Sequence, residues 1–293
     1  SRGLGDVYKR QPDALATVIF SSGSTGVPKG VMLSHFNLLS NCDGVLEVFE
    51  LGDHDCFLGA LPFFHSFGFM ATIWLPVVAG CRVVYHPNPT DAKVIGELVE
   101  KHKATFLLGT PTFCGTYSRK CTREQFATLR YIVVGAEKLR DALRQEFRDV
   151  FGKELLEGYG CTELSPVVAI NTPDFQFGKE IQVGNKIGTV GLPLPGVTAR
   201  VTDPETREVL PLGQEGLLEI RGPNVMLGYL NQPERTKEAM HDGWYITGDV
   251  ATVDEDGFIK ITDRLARFSK IGGEMVPHLK VEELISSLTG GAP

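Results

Sequence analysis

The residues best equipped for chemistry come early. Ser21-Ser22-Gly23-Ser24-Thr25-Gly26-Val27-Pro28-Lys29-Gly30 follows a short β-type run at 16–21. Glycines let backbone N–H groups approach phosphate oxygens, Ser and Thr hydroxyls add donors, and Lys29 adds positive charge. The run has the makings of a phosphate grip. It is not a Walker A loop, in which Ser or Thr follows the lysine, because Gly30 stands there. That disfavours a P-loop phosphoryl transferase.

Five further stretches hold candidate groups. Leu61-Pro62-Phe63-Phe64-His65-Ser66-Phe67-Gly68 sets a histidine among aromatics. Gly158-Tyr159-Gly160-Cys161-Thr162-Glu163 ends on a hydroxyl beside a carboxylate. Gly228-Tyr229, Gly243-Trp244-Tyr245-Ile246-Thr247-Gly248-Asp249 and Asp263-Arg264 follow. Taken singly, each has a bland reading. A lone histidine among aromatics is commonly core. Thr162-Glu163 is also a helix N-cap with an acidic first-turn residue, and Asp249 after Gly248 is also a turn aspartate.

The elements that must position these groups are legible from period and turn chemistry. Strands are expected at 16–21, 81–85, 105–108 and 131–134. Helices are expected at 37–49, 91–102, 113–119, 123–128 and 140–151. Strands alternating with helices predict a parallel α/β sheet. After about Asn185 the texture changes to short strands, at 187–190, 198–202, 216–221, 251–253 and 258–262, separated by Gly, Pro and Asp turns. A small β-barrel or twisted sheet is expected there, with 280–287 helical beyond it. The predicted division is a non-native leader at 1–11, an α/β nucleotide- and acyl-binding part at 12–185, a β-rich part at 186–262, and a hinge with the start of a further domain at 263–293.

Bulk properties remove other classes. Of 293 residues, 42% are hydrophobic and 22% charged, which excludes disordered and collagen-like chains. A net charge of −7 argues against a general nucleic-acid binder. The six cysteines make no C-x-x-C pair or zinc spacing, so they read as reduced cysteines of a cytoplasmic protein. The stretch 56–81 is nearly free of charge but is interrupted by Gly59, Pro62, Gly68, Pro76 and Gly80. A buried strand, a loop and a core helix fit it better than a membrane span.

In order and along 12–283, these six motifs resemble the adenylate-forming superfamily of acyl-CoA synthetases, luciferases, peptide-synthetase adenylation domains and acyl-carrier-protein synthetases. The resemblance implies activation of a carboxylate by ATP to an acyl-adenylate, with loss of pyrophosphate, and then transfer to a thiol. It implies that Ser21, Ser22, Gly23, Ser24, Thr25, Gly26 and Lys29 grip phosphate, and that Thr162 bonds the α-phosphate. Glu163 is implied as the ligand of Mg²⁺, a hard carboxylate for a hard ion. Tyr159 is implied to stack on adenine, and Gly135, Ala136 and Glu137 to line adenine and the acyl pocket through their backbone. Asp249 would accept both ribose hydroxyls, Arg264 would reach ribose or phosphate, and His65 would guard the carboxylate pocket near the α-phosphate. Phe63, Phe64, Phe67, Phe69 and Met70 suit a fatty tail or a core.

The run Phe268-Ser269-Lys270-Ile271-Gly272-Gly273-Glu274-Met275-Val276-Pro277 is similar to the acyl-acyl-carrier-protein synthetase branch, including the synthetase part of 2-acylglycerophosphoethanolamine acyltransferases. That implies a fatty acid, a carrier-protein thiol as acceptor with CoA as the alternative, a role in phospholipid metabolism, and a place at the inner face of the cell membrane through upstream domains. Arg267 and Lys270 would suit an acidic carrier protein. Most members carry an acidic or lysine hinge residue where Ala266 stands. The family's C-terminal domain brings a catalytic lysine, so residues 1–293 by themselves are expected to adenylate poorly or not at all. A non-catalytic nucleotide-binding remnant is the remaining alternative, against which the intact Lys29, Thr162, Glu163, Asp249 and Arg264 speak.

Overall fold

The computed structural model describes residues 11–21, 28–265, 268–271 and 274–277. The loop positions Ser22–Gly26, the hinge residues Ala266 and Arg267, the expected helix at 280–287 and almost all of the expected leader lie outside the described residues.

Two strands open the chain, β1 (Leu15–Ser21) and β2 (Lys29–Ser34), paired antiparallel with Ser21 opposite Lys29. The glycine-rich stretch therefore joins the two strands of a hairpin. Helix α1 (His35–Val48) starts two residues before the expected point, because Ser34 and Asn37 exchange side-chain and backbone hydrogen bonds at its N-terminus. The uncharged stretch becomes β3 (Cys56–Gly59) and a helical run at 66–79, made of α2 (Ser66–Phe69), a π turn at Met70–Trp74 and α3 (Leu75–Ala79). Among the described residues no helix is long and apolar enough to cross a membrane.

Next come β4 (Arg82–Tyr85), α4 (Ala92–His102), β5 (Phe106–Gly109), α5 (Pro111–Lys120), β6 (Tyr131–Val134), α6 (Asp141–Phe151), β7 (Leu156–Gly160) and β8 (Val167–Ile170). Strands β4, β3, β5, β6 and β7 form the expected parallel sheet, in that order. Strand β8 and, beyond a hairpin of β9 (Phe175–Phe177) and β10 (Glu180–Gln182), strand β11 (Leu192–Pro193) extend it antiparallel at one edge. Both faces are covered. Helices α4, α5 and α6 pack on one through Ile95, Tyr117 and Phe147, while α1 and the 66–79 run pack on the other through Val45, Met70 and Leu75. That explains why β3 and β5 are buried at every position and read as continuous apolar runs.

The β-rich part contains β12 (Thr198–Thr202), β13 (Gly216–Arg221), β14 (Gly228–Tyr229), α7 (Pro233–Glu238), β15 (Met240–His241), β16 (Trp244–Val253) and β17 (Ile259–Arg264), followed by the backbone hairpin β18 (Phe268–Ile271) and β19 (Glu274–Pro277). Strands β12, β13, β16, β15 and β17 make an antiparallel sheet. Strand β14 leaves it and pairs with β2, closing a three-stranded sheet from opposite ends of the chain. Asn37 adds to this seam by donating to the carbonyls of Pro223 and Val225.

Two expected elements are absent. Residues 123–128 form successive turns and no helix. The side chains of Thr122 and Gln125 each bond the other's backbone N–H, offering the chain a local alternative to the helical ladder, and Phe126 is stacked on Phe151 in the core. Residues 187–190 are a turn and no strand. Gly188 has φ +82°, and the Thr189 hydroxyl donates to the Lys186 carbonyl.

Candidate functional site

A cleft of about 430 Å³ opens where the carboxyl ends of the parallel strands meet the β-rich part. This is where open α/β sheets place their ligands, and the size suits a small-molecule site. Three loops leaving β3, β6 and β7 build one wall, and residues of β1, β2, β8, β16 and β17 build the rest.

Strand β7 is shaped for this task. Its pairing with β8 slips between Tyr159 and Gly160, and such bulges re-aim the side chains that follow. A Cβ on Gly160 would sit 1.9 Å from the Pro166 carbonyl oxygen, so only glycine fits. Thr162 and Glu163 then occupy a short 3₁₀ turn that faces the cleft. Thr162 shares a 3.0 Å hydroxyl–hydroxyl hydrogen bond with Ser66. Glu163 is buried; its Oε1 accepts from the Tyr229 hydroxyl at 2.9 Å and lies 3.9 Å from Lys29 Nζ.

His65 is the N-cap of α2, its Nδ1 accepting from the Phe67 N–H at 3.3 Å. Partial burial lowers its pKa below the ordinary value, favouring the neutral ring. After β6, Gly135 and Ala136 line the cleft, with Ala136 in the left-handed region at φ +68°. Such a residue is strained by the order of 1 kcal/mol and is worth noting at a site. Tyr159 lines the cleft and donates to Asp249 Oδ2 at 2.5 Å, while Arg264 Nε donates to Asp249 Oδ1 at 3.0 Å. The Asp249 N–H donates to the Thr247 hydroxyl, which donates to the Leu218 carbonyl.

The structure thus brings Ser21, Lys29, His65, Gly135, Ala136, Tyr159, Thr162, Glu163, Asp249 and Arg264 to one cleft. Glu137 is not among the lining residues. It turns away to accept from the N–H and hydroxyl of Thr112 at the start of α5, where a carboxylate suits the helix dipole. Of the five apolar candidates only Phe67 lines the cleft. Met70 is core, Phe64 is 84% exposed, and Phe63 packs edge-on against Tyr85. Sequence reasoning gave no role to Ser66, Tyr229, Tyr245 or Thr247, although each sits inside a motif it quoted.

The site can bind an anion beside a cation and a hydroxyl pair, and a vicinal diol at a carboxylate. The residues fit a magnesium ion carried by a polyphosphate. Glu163 is a single hard carboxylate with acceptor capacity left beyond Tyr229, and Mg²⁺ takes one or two carboxylates plus phosphate oxygens and water. No group of three or more His, Cys, Asp or Glu is placed to hold a metal among the described residues, so an all-protein cage is not offered.

Known proteins match this arrangement. The family described as "AMP-binding enzyme" matches residues 5–230. A long-chain-fatty-acid–CoA ligase of Yersinia pestis is 33% identical over 94% of this chain and 49% of its own length. A probable 4-coumarate–CoA ligase 3 of Dictyostelium discoideum is 37% identical over 93% and 49%. ATP-bound MatB from Rhodopseudomonas palustris superposes with a TM-score of 0.85 at 35% identity, covering 95% of this chain and 54% of that one. An o-succinylbenzoate coenzyme A synthetase (MenE) from Bacillus subtilis, in complex with ATP and magnesium, gives 0.83 at 27%, covering 96% and 56%. The chain spans about half the length of the relatives it matches. On sequence, fold and site together, the chain belongs to the AMP-binding enzyme family, within the adenylate-forming superfamily, and has the α/β fold of its N-terminal domain.

Proposed function

We propose that the protein activates an apolar carboxylic acid, of the fatty-acid class, with ATP. The carboxylate oxygen bonds to the α-phosphorus, pyrophosphate leaves, and the acyl-adenylate then gives its acyl group to a thiol as AMP departs. The observation that carries this reading is the convergence of Lys29, Thr162 with Glu163, and Asp249 on one cleft from three separate segments.

Oxygen attack on an anionic phosphate is dominated by positioning and charge neutralisation. Lys29 supplies a fixed positive charge at the phosphate end. The Ser66–Thr162 pair offers a hydroxyl donor for a phosphate oxygen, since one of the two must be free to donate elsewhere. Asp249 holds the ribose hydroxyls at the other end, with Arg264 beside it and Tyr159 against the base. Neutral His65 stands at the carboxylate entrance. Glu163 holds magnesium, which when bound neutralises phosphate charge. Phe67, Val133, Val167 and Ile170 give the cleft an apolar wall for the acyl chain.

CoA is the favoured thiol acceptor, as the names of the relatives suggest. A carrier-protein acceptor is the second reading. It rests on the run 268–277 and would carry the roles in phospholipid metabolism and at the membrane.

Carboxylate-dependent ATP–pyrophosphate exchange by the intact protein tests the first half. Exchange with a fatty acid, abolished by Asp249→Ala, is the expected result, and ATP binding without exchange for any carboxylate would overturn it. Thioester formation with CoA against carrier protein, in wild type and Arg267→Glu, decides the acceptor.

A further inference from the structure

A buried carboxylate is stable only when hydrogen-bonded or paired. Glu163 has a cation nearby, but Lys29 Nζ at 3.9 Å is beyond hydrogen-bond reach. Its direct donor is the hydroxyl of Tyr229, 66 residues away in sequence, at 2.9 Å. Tyr229 is 3% exposed and does not line the cleft, so it touches the site only through other side chains.

Two further contacts make it a support. Its ring lies under the Lys29 ammonium, 5.1 Å from ring centre to Nζ. That contact follows from register: Tyr229 pairs with Val31, and Lys29 stands two residues from Val31 on the same face of β2. The Met226 N–H donates to the Glu163 carbonyl at 2.8 Å, so one segment grips Glu163 by backbone and by side chain. The strand admits this fit because Gly228 has φ +141° and a Cβ there would meet Thr236 at 2.8 Å.

A neutral donor has a specific consequence. It fixes the carboxylate without cancelling its charge, leaving acceptor capacity for a cation. A lysine in direct contact would compete with that cation.

We infer that Tyr229 is a positioning residue: it aims the Glu163 carboxylate at the metal carried by the nucleotide and holds Lys29 beside it. This rests on the proposed ATP-dependent function.

The test is Tyr229→Phe, which keeps the ring and its contact with Lys29 and removes only the hydroxyl. ATP binding is measured by calorimetry at a series of Mg²⁺ concentrations and again in EDTA, with thermal melting as a check on folding. The expected result is a rise of roughly tenfold or more in the Mg²⁺ needed for half-maximal tightening of ATP binding, the size usual for a group that orients a metal ligand. Metal-free ATP binding stays as in wild type. In the Glu163→Gln background the same change has no further effect on the Mg²⁺ dependence. A Tyr229→Phe protein with wild-type Mg²⁺ dependence overturns the inference while leaving the proposed function standing. Equal weakening with and without metal overturns it too, because that is what a merely structural residue would do. Wild type that binds no nucleotide overturns the functional reading itself.

Discussion

The phenol of Tyr159 and the carboxylate of Asp249, 90 residues apart in sequence, meet at 2.5 Å across the cleft. The bond joins the end of the parallel sheet to the β-rich part, and Arg264 completes it on the other carboxylate oxygen. Both oxygens retain acceptor capacity, since a carboxylate has about four lone-pair sites. Tyr159→Phe should therefore loosen the carboxylate without removing it. Loss of one hydrogen bond to a charged group is worth about 1.5–3 kcal/mol, so ATP binding should weaken on the order of ten- to a hundredfold, and more in Asp249→Ala. Calorimetric titration with ATP checks this. Equal affinity in wild type and Asp249→Ala would remove Asp249 from the site.

His65 predicts a pH effect. Its Nδ1 can cap α2 only while it carries a lone pair, and burial lowers the folded-state pKa below the ordinary 6.5. Between the lowered value and 6.5 the unfolded chain binds more protons than the folded one. Stability contributed by neutral His65 is thus complete above about 6.5 and is lost as pH falls through the folded value. Asn at this position caps without titrating. His65→Asn should flatten the acid side of the stability–pH curve, and His65→Ala should cost about 1 kcal/mol at pH 7.5. Denaturant melts from pH 5 to 8 read both. An unchanged curve in His65→Asn would show that the cap contributes nothing.

Much of this site was legible because its groups sit in contiguous motifs whose residue types match one chemistry. Thr162, Glu163, Asp249 and Lys29 stand out that way, and the fold brings them to one cleft. The partnerships were not legible. Tyr229 reaches Glu163 because β14 crosses to pair with β2, and no local period encodes a pairing between residues some 200 apart. The αβ alternation gave the parallel sheet, since β3 and β5 are apolar throughout. The stretch 123–128 misled because helical spacing was present while Thr122 and Gln125 spent their side chains on the backbone. Glu137 misled because its neighbours Gly135 and Ala136 do line the cleft, and the left-handed turn at Ala136 sends the next side chain elsewhere.

Cys161 stands in the cleft between two site residues, where a thiol invites a nucleophilic reading. Burial pushes its pKa well up, and the neighbouring Glu163 and Asp249 carboxylates push the same way. Reactivity belongs to the thiolate. At pH 7.5 native Cys161 should react with a maleimide at least about tenfold more slowly than a free thiol of ordinary pKa near 8.5, and quickly only after unfolding in guanidinium. Peptide mapping by mass spectrometry gives the site. Rapid stoichiometric labelling of folded protein would contradict the assignment of a protonated, inert thiol.

Arg144 of α6 and Glu157 of β7, the strand that carries Tyr159, form a buried ion pair. Arg144 Nη2 donates to Glu157 Oε2 at 3.1 Å, and the Leu139 N–H donates to Oε1 at 3.3 Å. Burial nevertheless raises the Glu157 pKa, outweighing both bonds. Arg144→Met would leave the carboxylate buried with one neutral donor. Breaking such a pair from one side costs about 3–5 kcal/mol, whereas replacing both partners by apolar groups is often neutral. Urea denaturation should show that loss in Arg144→Met and recovery of most of it in Arg144→Met with Glu157→Leu. The sign with pH follows from the raised folded pKa. The single variant should regain stability as pH falls below the folded pKa of Glu157 and the carboxyl takes up its proton, since a group with a raised pKa contributes most below its unfolded value. A single variant as stable as wild type at pH 7.5 would show that water reaches Glu157, and that the ion pair is not what secures the base of β7.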